Sequence, residues 1–147
     1  MRFFIYADNL NPTQLKRRAP EAQFLFMAYL PDHTIKFGRW SNQWRCGLAT
    51  IAPSAGERVW GGVFELTQED VQEMDKFEGD LPEGAFRHVE VHVFTQEGEK
   101  EFVSTHVAQS IGKFKAKDHY LDWILAGVKH WKLPDECVDM WNLFRSP

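Results

Sequence analysis

Glu78 is the residue whose setting bears most directly on chemistry. The stretch from Thr67 reads as a helix. Thr67 stands three residues before Asp70 in a capping-box-like arrangement, Glu69 and Asp70 put negative charge in the first turn, and Gly79 ends it. Along this helix Val71, Met74 and Glu78 fall at i, i+3 and i+7, so they share one face, which Val71 and Met74 mark as inward. Leu66 and Phe77 add apolar surroundings, while Glu69, Gln72, Glu73 and Lys76 serve solvent. A carboxylate on the inward stripe is disfavoured as an anion by desolvation and by the negative end of the helix. An acid tuned upward in this way takes and returns a proton near neutral pH. The alternative is a frayed helix end, with Glu78 turned to water beside Gly79.

A second candidate is Tyr6-Ala7-Asp8-Asn9-Leu10, where the first strand runs into a helix. A strand-to-helix turn aims backbone N–H groups outward, where they hold a carboxylate or a developing oxyanion. The plain version is a turn in which Asp8 and Asn9 bond their own backbone. A third is the set His88, Glu90 and His92 on one face of a strand, with His106 facing them from its partner, a spacing that suits a transition metal. The same pattern also describes a polar solvent face opposite valines, and that reading is preferred, so no metal is assigned. Trp40, Trp44 and Arg45 have the types that stack on nucleic-acid bases, but no RNA-binding motif accompanies them. P-loop, GxGxxG, GxSxG and HExxH patterns are absent.

These residues must be carried by an α+β chain. Arg2 to Tyr6 reads as a short buried strand, and Asn11 caps a helix that opens at Pro12 and runs through Leu15 to Arg18. Gln23–Leu30 and Thr34–Phe37 are predicted strands, followed by a loop from Trp40 to Arg45. Gly47–Ile51 and Val59–Leu66 are two more, with Pro53–Gly56 as the turn between them. Phe86–Thr95 alternates, with Val89, Val91 and Val93 on one side, and Gln96 to Glu99 turns it into Phe102–Val107. Tyr120, Leu121, Ile124, Leu125 and Val128 form a helical apolar stripe. Past Leu133-Pro134-Asp135, a short terminal helix carries Val138, Trp141, Leu143 and Phe144. So many short strands imply a strongly curled sheet or barrel.

The 147 residues suit a single domain spanning 1–147, and 44% hydrophobic content supports a packed core. A net charge of −4 disfavours a broadly basic nucleic-acid face. Cys46 and Cys137 are too few for a disulfide framework and fit small core residues in a reducing compartment. No signal-peptide pattern and no long apolar run is present, so a cytoplasmic protein without a membrane span is expected. Oligomeric state is open.

Taken in order, several of these segments resemble the γ-glutamylcyclotransferase-like family. Tyr6-Ala7-Asp8-Asn9-Leu10 stands where family members usually have tyrosine-glycine-serine-asparagine-leucine. Gly47-Leu48-Ala49-Thr50-Ile51 and Val59-Trp60-Gly61-Gly62-Val63 look like its central strands, and Met74-Asp75-Lys76-Phe77-Glu78-Gly79 resembles the segment ending in its catalytic glutamate. Tyr120-Leu121 through Ala126-Gly127 and Leu133-Pro134 resemble its later helix and exit. The resemblance implies a small mixed β-barrel with flanking helices. It also implies release of 5-oxoproline from a γ-glutamyl amine or amino acid, with Glu78 as general acid/base and Tyr6, Ala7, Asp8, Asn9 and Leu10 gripping the substrate. No cofactor or metal is implied, and the partner is a small molecule.

The departures from the family pattern are Ala7 for glycine, Asp8 for serine, and Phe86 and His106 where tyrosines are frequent. Ala7 narrows the backbone approach and disfavours positive φ. Asp8 adds a negative charge that can pair with a substrate ammonium. These changes keep open a non-catalytic module that retains the pocket without turnover. Loops at Ser41–Arg45 and Leu81–Ala85 are expected to read the amine half of a substrate.

Overall fold

A computed structural model describes residues 1–77 and 86–147. Its elements are β1 (Arg2–Ile5), a 3-10 turn (Asp8–Leu10), α1 (Pro12–Arg18), β2 (Gln23–Ser41), β3 (Cys46–Glu65), α2 (Gln68–Phe77), β4 (Phe86–Thr95), β5 (Lys100–Ala108), α3 (Asp118–His130) and α4 (Asp135–Asn142). The strands close into a barrel in the order β1-β3-β2-β4-β5. β1 pairs antiparallel with β3 and parallel with β5, where Phe3 lies opposite Ser104 and Phe4 opposite Thr105. The other pairings are antiparallel, so the architecture is the α+β mixed barrel with flanking helices that the sequence implied.

β1 owes its aromatic and β-branched composition to its position between two strands. Phe3, Phe4 and Ile5 are all buried. At Gly61, a side chain would run into the Ile5 carbonyl and, at 2.8 Å, the Phe4 ring, so close approach of β1 to β3 needs glycine there.

The strand count differs from the sequence expectation. Gln23–Leu30 and Thr34–Phe37 belong to one continuous β2, and Gly47–Ile51 and Val59–Leu66 to one continuous β3. Pro53–Gly56 is therefore a bulge and does not reverse the chain. Pro31 faces Arg58 while His33 faces Pro53, so residues 54–57 bow out opposite Asp32. The left-handed backbone at Asp32 (φ 57°) and Gly56 (φ 83°) is spent on this bow, and Gly56 N–H donates to Asp32 Oδ1 at 3.0 Å. The reversal comes at residues 42–45, within the segment read as a loop.

The helix starts follow their local chemistry. Asn11 Oδ1 accepts from Thr13 N (3.0 Å) and Gln14 N (3.4 Å) ahead of α1, with Pro12 at its first position. Asp70 N–H donates to Thr67 Oγ1 at 3.0 Å and Thr67 N–H to Asp70 Oδ2 at 3.3 Å, which completes the capping box of α2. In α2, Val71 and Met74 are buried while Glu69, Gln72, Glu73 and Lys76 are exposed. The α3 stripe Tyr120, Leu121, Ile124, Leu125 and Val128 is buried throughout. α4 inserts Cys137 and Trp141 and stops at Asn142, so Leu143 is exposed beyond its end. No helix among the described residues is long and apolar enough to cross a membrane.

Candidate functional site

A concave pocket opens where β1 ends. Phe4, Ile5, Tyr6, Ala7, Asp8 and Asn9 form one wall; Leu48 and Ala49 of β3, Phe86 of β4, and Thr105 and His106 of β5 form the others. Its volume is about 40 Å³, enough for a water-sized polar group. Tyr6 hydroxyl donates to the His106 carbonyl at 2.7 Å, and Thr105 Oγ1 donates to the Phe4 carbonyl at 2.7 Å. These two bonds lock the end of β1 to β5 at the mouth of the barrel. Leu10, grouped with the cradle in the sequence reading, is fully buried and lies outside the pocket wall.

The Asp8 carboxylate is occupied by the protein. Its Oδ2 accepts from Gln14 Nε2 at 2.7 Å and sits 3.7 Å from Arg18 Nη1, while Oδ1 accepts from Tyr120 hydroxyl at 3.2 Å. Asn9 Oδ1 accepts from Gln14 Nε2 (2.8 Å) and Arg18 Nη1 (3.0 Å). The buried Arg18 guanidinium thus offsets the charge that Asp8 brings to the wall, and helix α1 carries both Gln14 and Arg18. Pairing of Asp8 with a substrate ammonium, one expectation from the sequence, would have to compete with these donors.

Tyr120 anchors this network from α3. Its hydroxyl also accepts from Ala49 N–H at 3.1 Å, and burial, reinforced by Asp8, holds its pKa well above the ordinary phenol value. It is therefore a neutral donor across the working pH range. Tyr120→Phe leaves the Ala49 N–H and one Asp8 lone pair unsatisfied in a buried setting. The expected loss is about 1–3 kcal/mol of unfolding free energy, read by urea denaturation.

Across the pocket, His106 belongs to a trio. His88 lies directly opposite it in the β4–β5 register. Asp75, on the last described turn of α2, receives both imidazoles: its Oδ1 is 2.9 Å from His88 Nε2 and 3.1 Å from His106 Nε2. Burial, with a smaller contribution from His88, pushes the His106 pKa down to about 4 against the opposing pull of Asp75, so its ring is neutral near pH 7. Glu90 and His92, the other members of the polar face, pair across the strand with Ser104 and Phe102 and stay outside this trio. Asp75 was not singled out from sequence, because only the docking of α2 brings it to β4 and β5. Glu78 and the Leu81–Ala85 loop lie outside the described residues.

The aromatic surface residues resolve differently. Trp44 packs against Tyr120 and Trp123 with ring centroids 5.2 and 5.5 Å away, so it belongs to the α3 interface, whereas Trp40 is exposed. The Ser41–Arg45 loop takes no part in the pocket wall.

Comparison with known proteins adds the lineage. A model of the AIG2-like family matches residues 58–140. Over 138 residues the chain is 31% identical to a γ-glutamylcyclotransferase of Homo sapiens and 32% identical to one of Bos taurus, covering 91% of this chain and 73% of each relative. The chain belongs to the AIG2-like, γ-glutamylcyclotransferase family. A solved structure described as a γ-glutamyl cyclotransferase superposes with a TM-score of 0.91 at 28% identity, over 100% of this chain and 89% of that one. YkqA of Bacillus subtilis, 15% identical with a TM-score of 0.77, shares the fold.

Two departures from the family motif are accommodated locally. Ala7 has φ −127°, so the turn makes no demand on the left-handed region that alanine resists. Asp8 is matched by Arg18, Gln14 and Tyr120, as described above. At the other two departures, Phe86 and His106, this family member lines its pocket with a phenyl ring and a neutral imidazole.

Proposed function

We propose that this chain is a γ-glutamylcyclotransferase that releases 5-oxoproline from a small γ-glutamyl amine or amino acid. The substrate's α-amine nitrogen attacks its γ-carbonyl carbon. The new C–N bond closes a five-membered lactam, the original γ-amide C–N bond breaks, and the departing nitrogen takes a proton. Glu78 accepts the proton from the attacking amine and returns it to the leaving nitrogen, so a single carboxylate balances the step. The reaction is intramolecular, and holding the chain folded with its reacting atoms ~3–3.5 Å apart removes much of the barrier.

The observation that carries this reading is that α2, through Asp75, reaches His106 on the wall of the pocket at the end of β1. Asp75, three residues before Glu78, is 3.1 Å from His106, and His106 shares the pocket wall with Tyr6, Ala7, Asp8 and Asn9. The Leu10 and Asn11 N–H groups are spent on the carbonyls of Ala7 and Asp8, both at 3.0 Å. The cradle for the glutamyl head group is therefore assigned to Tyr6 through Asn9, with Leu10 holding their turn against the core. Support from relatives is that proteins about 30% identical over most of the chain carry the cyclotransferase name.

The test is a panel of γ-glutamyl amines and amino acids incubated with the purified chain, with 5-oxoproline measured by mass spectrometry. Release from at least one member is expected. A folded protein that yields no cyclised product from the whole panel at any pH from 5 to 9 (about two units either side of neutral,) overturns the proposal. Tight binding without product, read by calorimetry, would assign the pocket to a non-catalytic module.

A further inference from the structure

We propose that Asp75, His88 and His106 form a binding site for a divalent transition-metal ion, of which zinc is the natural probe. This goes beyond the cyclisation, whose proton transfers need no metal. One ligand atom from each of the three residues lies within 4.8 Å of the others, and the three come from separate elements, α2, β4 and β5. Two imidazole nitrogens and one carboxylate oxygen are the donor types that zinc and its neighbours prefer.

The spacing is close to what an ion requires. Metal–ligand bonds of ~2.0–2.2 Å in a tetrahedral site put neighbouring ligand atoms ~3.3 Å apart. Asp75 Oδ1 is 2.9 Å from His88 Nε2 and 3.1 Å from His106 Nε2, and all three ligand atoms lie within 4.8 Å of one another. The ion is admitted when Asp75 moves outward by a few tenths of an ångström and the two imidazole nitrogens settle ~3.3 Å apart. The side chains able to make that movement are Asp75 and His88, 43% and 39% exposed.

The rings are already oriented by packing, which lowers the ordering cost of binding. Phe3 stands edge-on to His88 at 5.4 Å and tilted against His106 at 5.1 Å, and Phe86 lies 5.0 Å from His106 on another side. One carboxylate and two imidazoles give the site a charge of about −1 when the rings are neutral, which complements a dication. Three protein ligands leave a fourth position open, and because His106 is on the pocket wall the ion would sit at the edge of that pocket.

The experiment is calorimetric titration of metal-free protein with zinc sulfate, repeated with Co²⁺ to read visible ligand-field bands. Expected is one saturable site per chain, strong four- or five-coordinate cobalt bands, and a rise in melting temperature with zinc. His88→Ala and Asp75→Ala, both at partly exposed positions, should each weaken binding at least ~10-fold and abolish the cobalt bands. His92→Ala, on the same strand face but outside the trio, should bind as the parent does. Absence of saturable binding, or binding unaffected by His88→Ala and Asp75→Ala, overturns the proposal. None of these readouts uses turnover, and 5-oxoproline release is measured on chelator-treated protein, so this site and the cyclotransferase activity stand or fall separately.

Discussion

Glu78→Gln is expected to remove 5-oxoproline release almost completely, with kcat falling about 10²–10⁴-fold. The substitution keeps the shape and the hydrogen-bonding reach of the side chain but withdraws its ability to take a proton. The loss should therefore appear in kcat, with KM changed little, because binding of the glutamyl head group is assigned to Tyr6 through Asn9. Asp8 on the pocket wall and Asp75 beside His106, the carboxylates there among the described residues, are poor substitutes. Asp8 has both oxygens engaged by Gln14 and Tyr120, and Asp75 shares one oxygen between two imidazoles. Circular dichroism and melting temperature must match the parent for the kinetic result to count. A folded Glu78→Gln protein that still turns over within about tenfold of the parent would remove Glu78 from the acid/base role.

How far the sequence led depends on the range of the interaction involved. The helix caps were legible. Asn11 with Pro12, and Thr67 with Asp70, announce helix starts because a cap is satisfied within three residues, and both caps are made. The inward stripe of α2 was legible through Val71 and Met74 for the same reason. Pro53–Gly56 misled because the residues that favour a turn also favour a bulge. What decides between them is the partner strand, here Asp32 and the slip in register from Pro31–Arg58 to His33–Pro53.

The pocket shows the same division. Tyr6 through Asn9 stood out because they are contiguous, whereas the wall contributed by Leu48, Ala49 and Thr105 depends on barrel closure. Asp75 is the clearest case. In the sequence it is only one residue of the Met74–Gly79 segment, and its meeting with His88 and His106 is settled only by how α2 docks across β4 and β5. Asp8 was legible as an anomaly in its motif, but its partners, Gln14 six residues on and Tyr120 on α3, were not.

Gly127→Ala is the second substitution expected to have a large effect, and it acts on the pocket from behind. Gly127 is buried in the last turn of α3, where alanine would ordinarily favour the helix by about 1 kcal/mol. Here a methyl group would lie 2.6 Å from Asn11 N and closer still to the carbonyl carbon and oxygen of Leu10. Those atoms are backbone and have no rotamer to escape into. They also belong to a tightly held turn: the Leu10 carbonyl accepts from Trp131 Nε1 at 2.8 Å, and Asn11 caps α1. Relief must come from shifting α3 away or displacing the turn that carries Asp8 and Asn9 on the pocket wall. Overpacking of this kind costs about 1–3 kcal/mol, enough to outweigh the gain in helix propensity. A displacement of the wall by ~1 Å is enough to lower turnover about 10²-fold. Urea unfolding and 5-oxoproline release measured together check both halves. The control is Ala126→Gly at the exposed neighbouring position, which should cost about 1 kcal/mol of stability and leave turnover unchanged. A Gly127→Ala protein as stable and as active as its parent would mean that α3 does not press on the turn and that the wall is positioned by α1 and β1 alone.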